Sequence, residues 1–256
     1  MNEHRDLDRE RVDRERDFHN RRFADDTRRH KSVGRFYELT GTISARYRDR
    51  ILSKARGATV LEFGVGTGSN AFALAQHGAL VTGIDISSTA IAIAGCQAVK
   101  RGLSVDFCVM NAEQLDFEDN SFDMICGTGI LHHLDLGKAV PEIRRVLKPG
   151  GVGIFFEPLG HNFLINSYRR LTPTIRSVDE HPLVVQDLRF IGSHFAQMQT
   201  EYFGLLVLAS AISGRLRRSL RLRRFLEAVD KGLFIVPWLR RQAWIVVLEV
   251  SGAAPS

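Results

Sequence analysis

The chain has 256 residues, a length that suits one α/β domain with some decoration, or at most two small domains. It is 44% hydrophobic and 25% charged, an ordinary globular composition that excludes disordered and fibrous classes. Its net charge is +6, too modest on its own to mark a nucleic-acid binder. The three cysteines, Cys96, Cys108 and Cys126, are odd in number and form no CxxC pair. A disulfide framework is therefore not expected, and neither is a zinc-type Cys/His motif. The start carries charges throughout and is no signal peptide. The longest apolar stretch, from Phe203 to Gly214, is short of the ~20 residues that cross a bilayer. The expected location is the cytoplasm.

Residues 1–31 alternate acids and bases closely, with Phe18 and Phe23 as the large anchors. They read as a charged helical arm over residues 1–35. One reading is a solvated leader; the other is a helix that folds over a ligand or swaps onto a second copy in a homo-oligomer. From Ala58 the text alternates. ATVLEFG reads as a strand and SNAFALAQHG as a helix ending at Gly78; ALVTGIDIS is the second strand. STAIAIAGCQAVKRG is the second helix, capped at Ser88 or Thr89 and stopped at Gly102. LSVDFCVM and FDMICGTG are further strands, DLGKAVPEIRRVLKPGG a helix closed by a Pro-Gly-Gly turn, and VGIFFEP a fifth strand. Strands alternating with helices of about a dozen residues indicate βαβ units and a mainly parallel, doubly wound sheet. After Pro158 the rhythm breaks into a cap of about residues 158–196, and AWIVVLEV is the last strand.

The chemistry concentrates at the end of the first strand. Gly64, Gly66 and Gly68 follow it directly, where the absence of Cβ permits positive φ and close approach of a ligand to the main chain. The amides of the next helix face the same spot. The dinucleotide pattern GxGxxG is not met, because Ser69 stands at the third glycine. No lysine follows for a phosphate loop. Glu62 just before the turn would repel a pyrophosphate and attract a cationic amino or sulfonium group. Asp85 lies 19 residues after Gly66, near the ~20 expected for a carboxylate that grips ribose hydroxyls. Asn111 offers an amide that can read an adenine edge. Plain structural roles are open for each: a tight turn for the glycines, a cap for Asp85, a surface position for Glu62 and a turn for Asn111.

Taken in order, VLEFGVGTGSN, GIDIS, NAEQLDFEDNSFDMI, GILHHL and LKPGG resemble the successive motifs of the class I S-adenosylmethionine-dependent methyltransferases. The resemblance implies a Rossmann-like seven-stranded sheet over residues 36–256, with S-adenosylmethionine as the cofactor. By the same resemblance Glu62, Gly64 and Gly66 line the methionine end, and Tyr37 closes over its carboxylate. Asp85 holds the ribose, Ile86 packs on the adenine, Asn111 and Ala112 bracket the base, and Gly127 and Thr128 lie beside the transferable methyl. The family often has Asp where Asn111 stands; one acceptor for the adenine amino group is kept. The acceptor side is drawn from His132 and His133 after the fourth strand, Glu157 and His161 after the fifth, and His181, Tyr168 and Tyr202. His133, His161 and Glu157 are the acid–base candidates, each with an alternative structural role. No metal is expected. Phe163, Leu164, Ile165 and Leu183 suggest an acceptor with hydrophobic surface, such as a secondary metabolite, isoprenoid, quinone or lipid-like molecule. The basic run Arg215–Arg224 leaves two rivals: a nucleic-acid methyltransferase, against which no NPPY or DPPY motif follows the fourth strand, and peripheral contact with a membrane surface. A non-enzymatic cofactor-binding scaffold is the third.

Overall fold

The computed structural model describes residues 2–25, 34–172, 177–208 and 220–253. The sheet has seven strands in the order β3-β2-β1-β4-β5-β7-β6. They are β1 (Thr59–Phe63), β2 (Leu80–Asp85), β3 (Asp106–Val109), β4 (Phe122–Thr128), β5 (Leu147–Pro158), β6 (Phe195–Phe203) and β7 (Ile245–Ala253). The first five are parallel, and β7 pairs antiparallel with both β5 and β6. The winding runs outward from β1 to β3, then returns to place β4 on the other side of β1. That reversal opens a crevice at the carboxyl ends of β1 and β4, where sheets of this type take ligands.

The helices are α1 (Asn2–Ala24), α2 (Gly34–Leu52), α3 (Ser69–Gln76), α4 (Ser88–Arg101), α5 (Leu136–Val146), α6 (Phe163–Leu171), α7 (Val185–Ser193), α8 (Leu220–Leu233) and the short α9 (Pro237–Arg240). One side of the sheet is sealed by Tyr47 and Ile51 of α2 with Ala71 and Leu74 of α3, all buried over Val60 and Met124. The other is sealed by Val140 and Ile143 of α5 with Leu188 and Ile191 of α7, over Leu61, Ile125 and Phe155. Strands β1 and β4, covered on both faces, therefore read as mostly apolar runs, broken by Glu62 and Asp123.

Several boundaries differ from the sequence reading. The cap of α4 is Ser87, whose hydroxyl accepts from the Ala90 amide at 3.1 Å, not Ser88 or Thr89. The LKPGG segment begins β5 rather than closing α5: Phe122 pairs with Leu147 and Met124 with Val152, so Lys148 to Gly151 bulge out of register. The sequence reading gave no strand at β6, which is mostly polar and lies at the sheet edge. The cap region contains two helices, α6 and α7, so it is less irregular than its composition suggests. No helix among the described residues is long and apolar enough to cross a membrane.

Candidate active site

The loop after β1 sets the site's floor. Gly64, Gly66 and Gly68 have φ of 61°, 52° and 90°, values that suit glycine. A Cβ on Gly64 would come within 2.9 Å of the Ile130 side chain, and one on Gly127 within 2.7 Å. Ile130 is thus seated between the ends of β1 and β4, and larger residues at either position would expel it.

Two carboxylates flank this floor. Asp85 accepts the Gly66 amide at 2.9 Å through Oδ2 and the Ser87 amide at 2.9 Å through Oδ1. It therefore fixes the loop to β2 as well as facing the cavity. Glu62 is 2% exposed. Its Oε1 accepts from Asn70 Nδ2 at 3.1 Å, and its Oε2 is buried with no hydrogen-bond partner. Burial, opposed only in part by Asn70 and a backbone amide, pushes its pKa up to about 8. A half-satisfied buried carboxylate is costly, and a cationic group at the loop would satisfy it. This is the observation by which the residues present fit the amino-acid end of S-adenosylmethionine.

A cavity lies above. Its walls include Gly64, Asp85, Ile86, Asn111, Ala112 and Thr128, six of the ten positions nominated for the cofactor. Asn111 spends its Oδ1 on the Glu113 amide at 3.0 Å, in a turn that presents Ala112 to the cavity. Glu62, Gly66 and Gly127 are not among the lining residues; Glu62 connects to the cavity through Asn70, which also bonds Thr128 at 3.3 Å. The side chain of Tyr37 falls outside the described residues. The phenol that does reach the floor is Tyr47, buried, donating to the Gly127 carbonyl at 3.1 Å.

The roof is α1. Arg11, Glu15, His19 and Phe23, spaced four apart on one face of this helix, all line the cavity. Arg11 donates to Glu113 at 2.7 Å and to Asp8 at 3.2 Å. Asn20 accepts from the Ser87 hydroxyl at 2.7 Å. Arg14 pairs with Asp179 at 2.9 Å, and Lys138 pairs with Asp8. The arm thus packs over the cavity of its own chain. The spacing of these residues was the available signal, hidden because the helix is charged on every side.

The acceptor-side nominations separate. His133 reaches the cavity and also an adjoining recess lined by His181, Asp135, Asp179, Asp187 and Phe190. His181 is exposed there, its amide donating to the His132 carbonyl at 2.9 Å. His132 is turned away: it is buried, with Nδ1 2.8 Å from Glu157 Oε2. Burial, with His133 beside it, drives its pKa well down. Glu157 is fully buried, and its Oε1 accepts the amides of Ile130 and Leu131, both at 2.9 Å. Burial raises its pKa to about 7 against those bonds. Glu157 is thus a brace for the loop after β4 and not an acid–base group of the cavity. His161 does not reach the cavity either; its Nε2 accepts the Val185 amide at 3.3 Å. Tyr202 lies on β6 in a separate hollow with Arg46, Glu227 and Asp230, two strands beyond β5. The side chain of Tyr168 is outside the described residues. Phe163 and Leu164 face solvent, and Ile165 and Leu183 belong to the core, so these four do not form an acceptor pocket. The apolar walls come instead from Val12, Phe23, Ile84, Met110, Ile130 and Leu134. Of the basic run, residues 215–219 lie outside the described residues; α8 turns Glu227 and Asp230 inward and Arg221 and Arg224 outward.

Residues 61–155 match a family model described as a methyltransferase domain. A ubiquinone/menaquinone biosynthesis C-methyltransferase, UbiE, of Brucella canis is 41% identical over 107 residues, covering 39% of each chain. A ubiquinone biosynthesis O-methyltransferase of Coxiella burnetii is 34% identical over 109 residues, 42% of this chain and 46% of that one. The match thus spans less than half the length of these curated relatives. In fold, the chain is similar to a phosphoethanolamine N-methyltransferase 2 of Haemonchus contortus solved with S-adenosyl-L-methionine, with a TM-score of 0.59 and 21% identity over 81% of this chain and 52% of that one. With the glycine floor, the paired carboxylates and the strand order, these matches identify residues 61–155 as a methyltransferase domain of the class I S-adenosylmethionine-dependent type.

Proposed function

We propose that the protein transfers a methyl group from S-adenosylmethionine to a small, partly apolar acceptor of the phenol or quinol kind. The cofactor supplies a methyl activated by the sulfonium charge. On this reading Glu62 and the glycine loop hold its amino-acid end, Asp85 the ribose, and Ile86, Asn111 and Ala112 the adenine. The arm excludes water from the cavity, and alignment in such a site can supply ~7–11 kcal/mol of a barrier. His133 stands where the cavity meets the recess, so it is the nominated side chain that an acceptor meets.

The observation that carries this reading is the half-satisfied Glu62 beneath a cavity with mixed polar and apolar walls. The names of the curated relatives add support for a quinone-type acceptor. Against a polynucleotide acceptor, the recess beside His133 carries Asp135, Asp179 and Asp187 with a single arginine, Arg11. With Arg14 paired to Asp179 and Lys138 beside Asp135, that mouth offers no basic track for phosphates.

The test is methyl transfer from labelled S-adenosylmethionine to a panel of catechols and hydroquinones with and without a short isoprenoid tail, beside tRNA and denatured protein. Label in the small apolar members alone is expected. Label in RNA alone, or none while the cofactor binds, would overturn the acceptor class.

A further inference from the structure

The arm and the loop after β4 meet at three side chains whose role the methyl-transfer reading does not need. Glu15 and His19 are one turn apart on α1, and His133 follows β4. One donor atom from each lies within 4.8 Å of the other two. Glu15 Oε2 is 3.2 Å from His133 Nδ1 and 3.3 Å from His19 Nε2. Glu15 is 4% exposed and His133 7%. Against its burial, His133, His19 and Ser177 all stand close enough to Glu15 to hold its carboxylate below the usual range, yet none of them bonds it with acceptable geometry, so both Glu15 oxygens, His133 Nδ1 and the Ser177 oxygen are buried without a well-formed hydrogen bond. Unsatisfied donors and acceptors at this density are rare in a native interior.

The spacing fits an ion. Nitrogen and oxygen ligands about 2.1 Å from a tetrahedral metal stand about 3.4 Å from one another, close to the 3.2 and 3.3 Å found here. Two imidazoles and one carboxylate make a donor set suited to zinc-type cations, one that leaves a fourth position open. Competing roles for the neighbours are taken. Arg11 is committed to Glu113 and Asp8. A second grouping, of His132, His133 and Glu180, shares His133, but His132 Nδ1 is already held by Glu157. No CxxC or HxxxH spacing announces the site because its ligands come from one helix and a loop more than a hundred residues away.

We propose that Glu15, His19 and His133 form a divalent-cation site that ties the N-terminal arm to the loop after β4, with its open position toward the cavity that all three line. His133 then serves as a ligand, and an acceptor oxygen or nitrogen meets the ion in place of a free imidazole. Arm closure is thereby linked to metal occupancy.

The test uses Zn²⁺ alone, titrated into the chelator-treated full chain in competition with a chromophoric chelator, with neither cofactor nor acceptor present. Its failure would leave the methyl-transfer reading untouched. One equivalent bound is expected. Glu15→Gln and His19→Ala should each lower the affinity about a hundredfold or more, since even outer-shell partners are worth 10–100-fold. His77→Ala, an exposed histidine at the end of α3, should not change it. Circular dichroism checks that the variants fold, and His19→Gln stands in should His19→Ala not do so. Absence of stoichiometric binding would overturn the proposal, as would binding that survives the substitutions at Glu15 and His19. Loss with Glu180→Gln while Glu15→Gln still binds would place the ion in the neighbouring group and overturn it as well.

Discussion

Glu62→Gln replaces a buried acid with a neutral side chain of the same size. In the folded chain without ligand, Glu62 titrates at about 8 rather than its ordinary 4.5, and at ~1.4 kcal/mol per pH unit that interval is about 5 kcal/mol. This is the cost of charging the carboxylate in its pocket, and a cation docked against Oε2 has to offset it. At pH 7 the free protein holds the proton and the complex does not, so binding S-adenosylmethionine should release close to one proton. Affinity should fall about tenfold for each pH unit below 8. In Glu62→Gln both effects vanish, and with the charge-assisted bond lost, worth about 1.5–3 kcal/mol, affinity drops roughly tenfold to a hundredfold. Calorimetry in two buffers of different ionisation enthalpy reads the proton count directly. The same shift acts on stability. A raised carboxylate pKa gives the folded chain an extra proton between 4.5 and about 8, so that contribution is complete below 4.5 and lost as pH rises through 8. The free wild-type protein should therefore lose Tm over this window, and Glu62→Gln should lose less. Equal affinity, no proton release and parallel Tm profiles would refute the reasoning.

Four other outcomes follow from the geometry. Asp85→Ala removes the acceptor for the Gly66 and Ser87 amides as well as the ribose partner, and should weaken cofactor binding about a hundredfold or more by calorimetry; unchanged affinity would remove the ribose assignment. Glu157→Ala strands two amides and the His132 ring and should lower unfolding free energy by about 3 kcal/mol or more in urea melts; a loss under about 1 kcal/mol would contradict its bracing role. Arg11→Ala removes the Nη2 that donates to both Glu113 oxygens and should speed dissociation of S-adenosylhomocysteine about tenfold or more in stopped flow; an unchanged rate would show that the arm does not retain the cofactor. His133→Ala should lower turnover with little change in cofactor affinity, while His161→Ala keeps turnover near wild type; the reverse pattern would exchange their roles.

The sheet from β1 to β5 was legible because buried parallel strands are written as mostly apolar runs punctuated by glycine, as in VLEFG and FDMICGTG, each with a single acid. Six of the ten residues expected on the cofactor side line the cavity for a related reason: they stand at strand ends, where position in the chain fixes position in space. The acceptor side was not. His132 and His133 are adjacent in sequence, yet one braces Glu157 and the other reaches the cavity. Glu157 has the right place at a strand end and points inward to the amides of a neighbouring loop. The roof was least legible, because Arg11, Glu15 and His19 are charged or polar residues in a charged helix. Burial there comes with the Arg11–Glu113 ion pair and the Glu15–His133 contact, partners that periodicity cannot reveal.

Calorimetric titration of the full chain with S-adenosylhomocysteine tests the central claim most directly. One saturable site is predicted, with a rise in Tm as ligand is added. No heat at millimolar ligand and an unmoved Tm would contradict the assignment of this cavity to the cofactor.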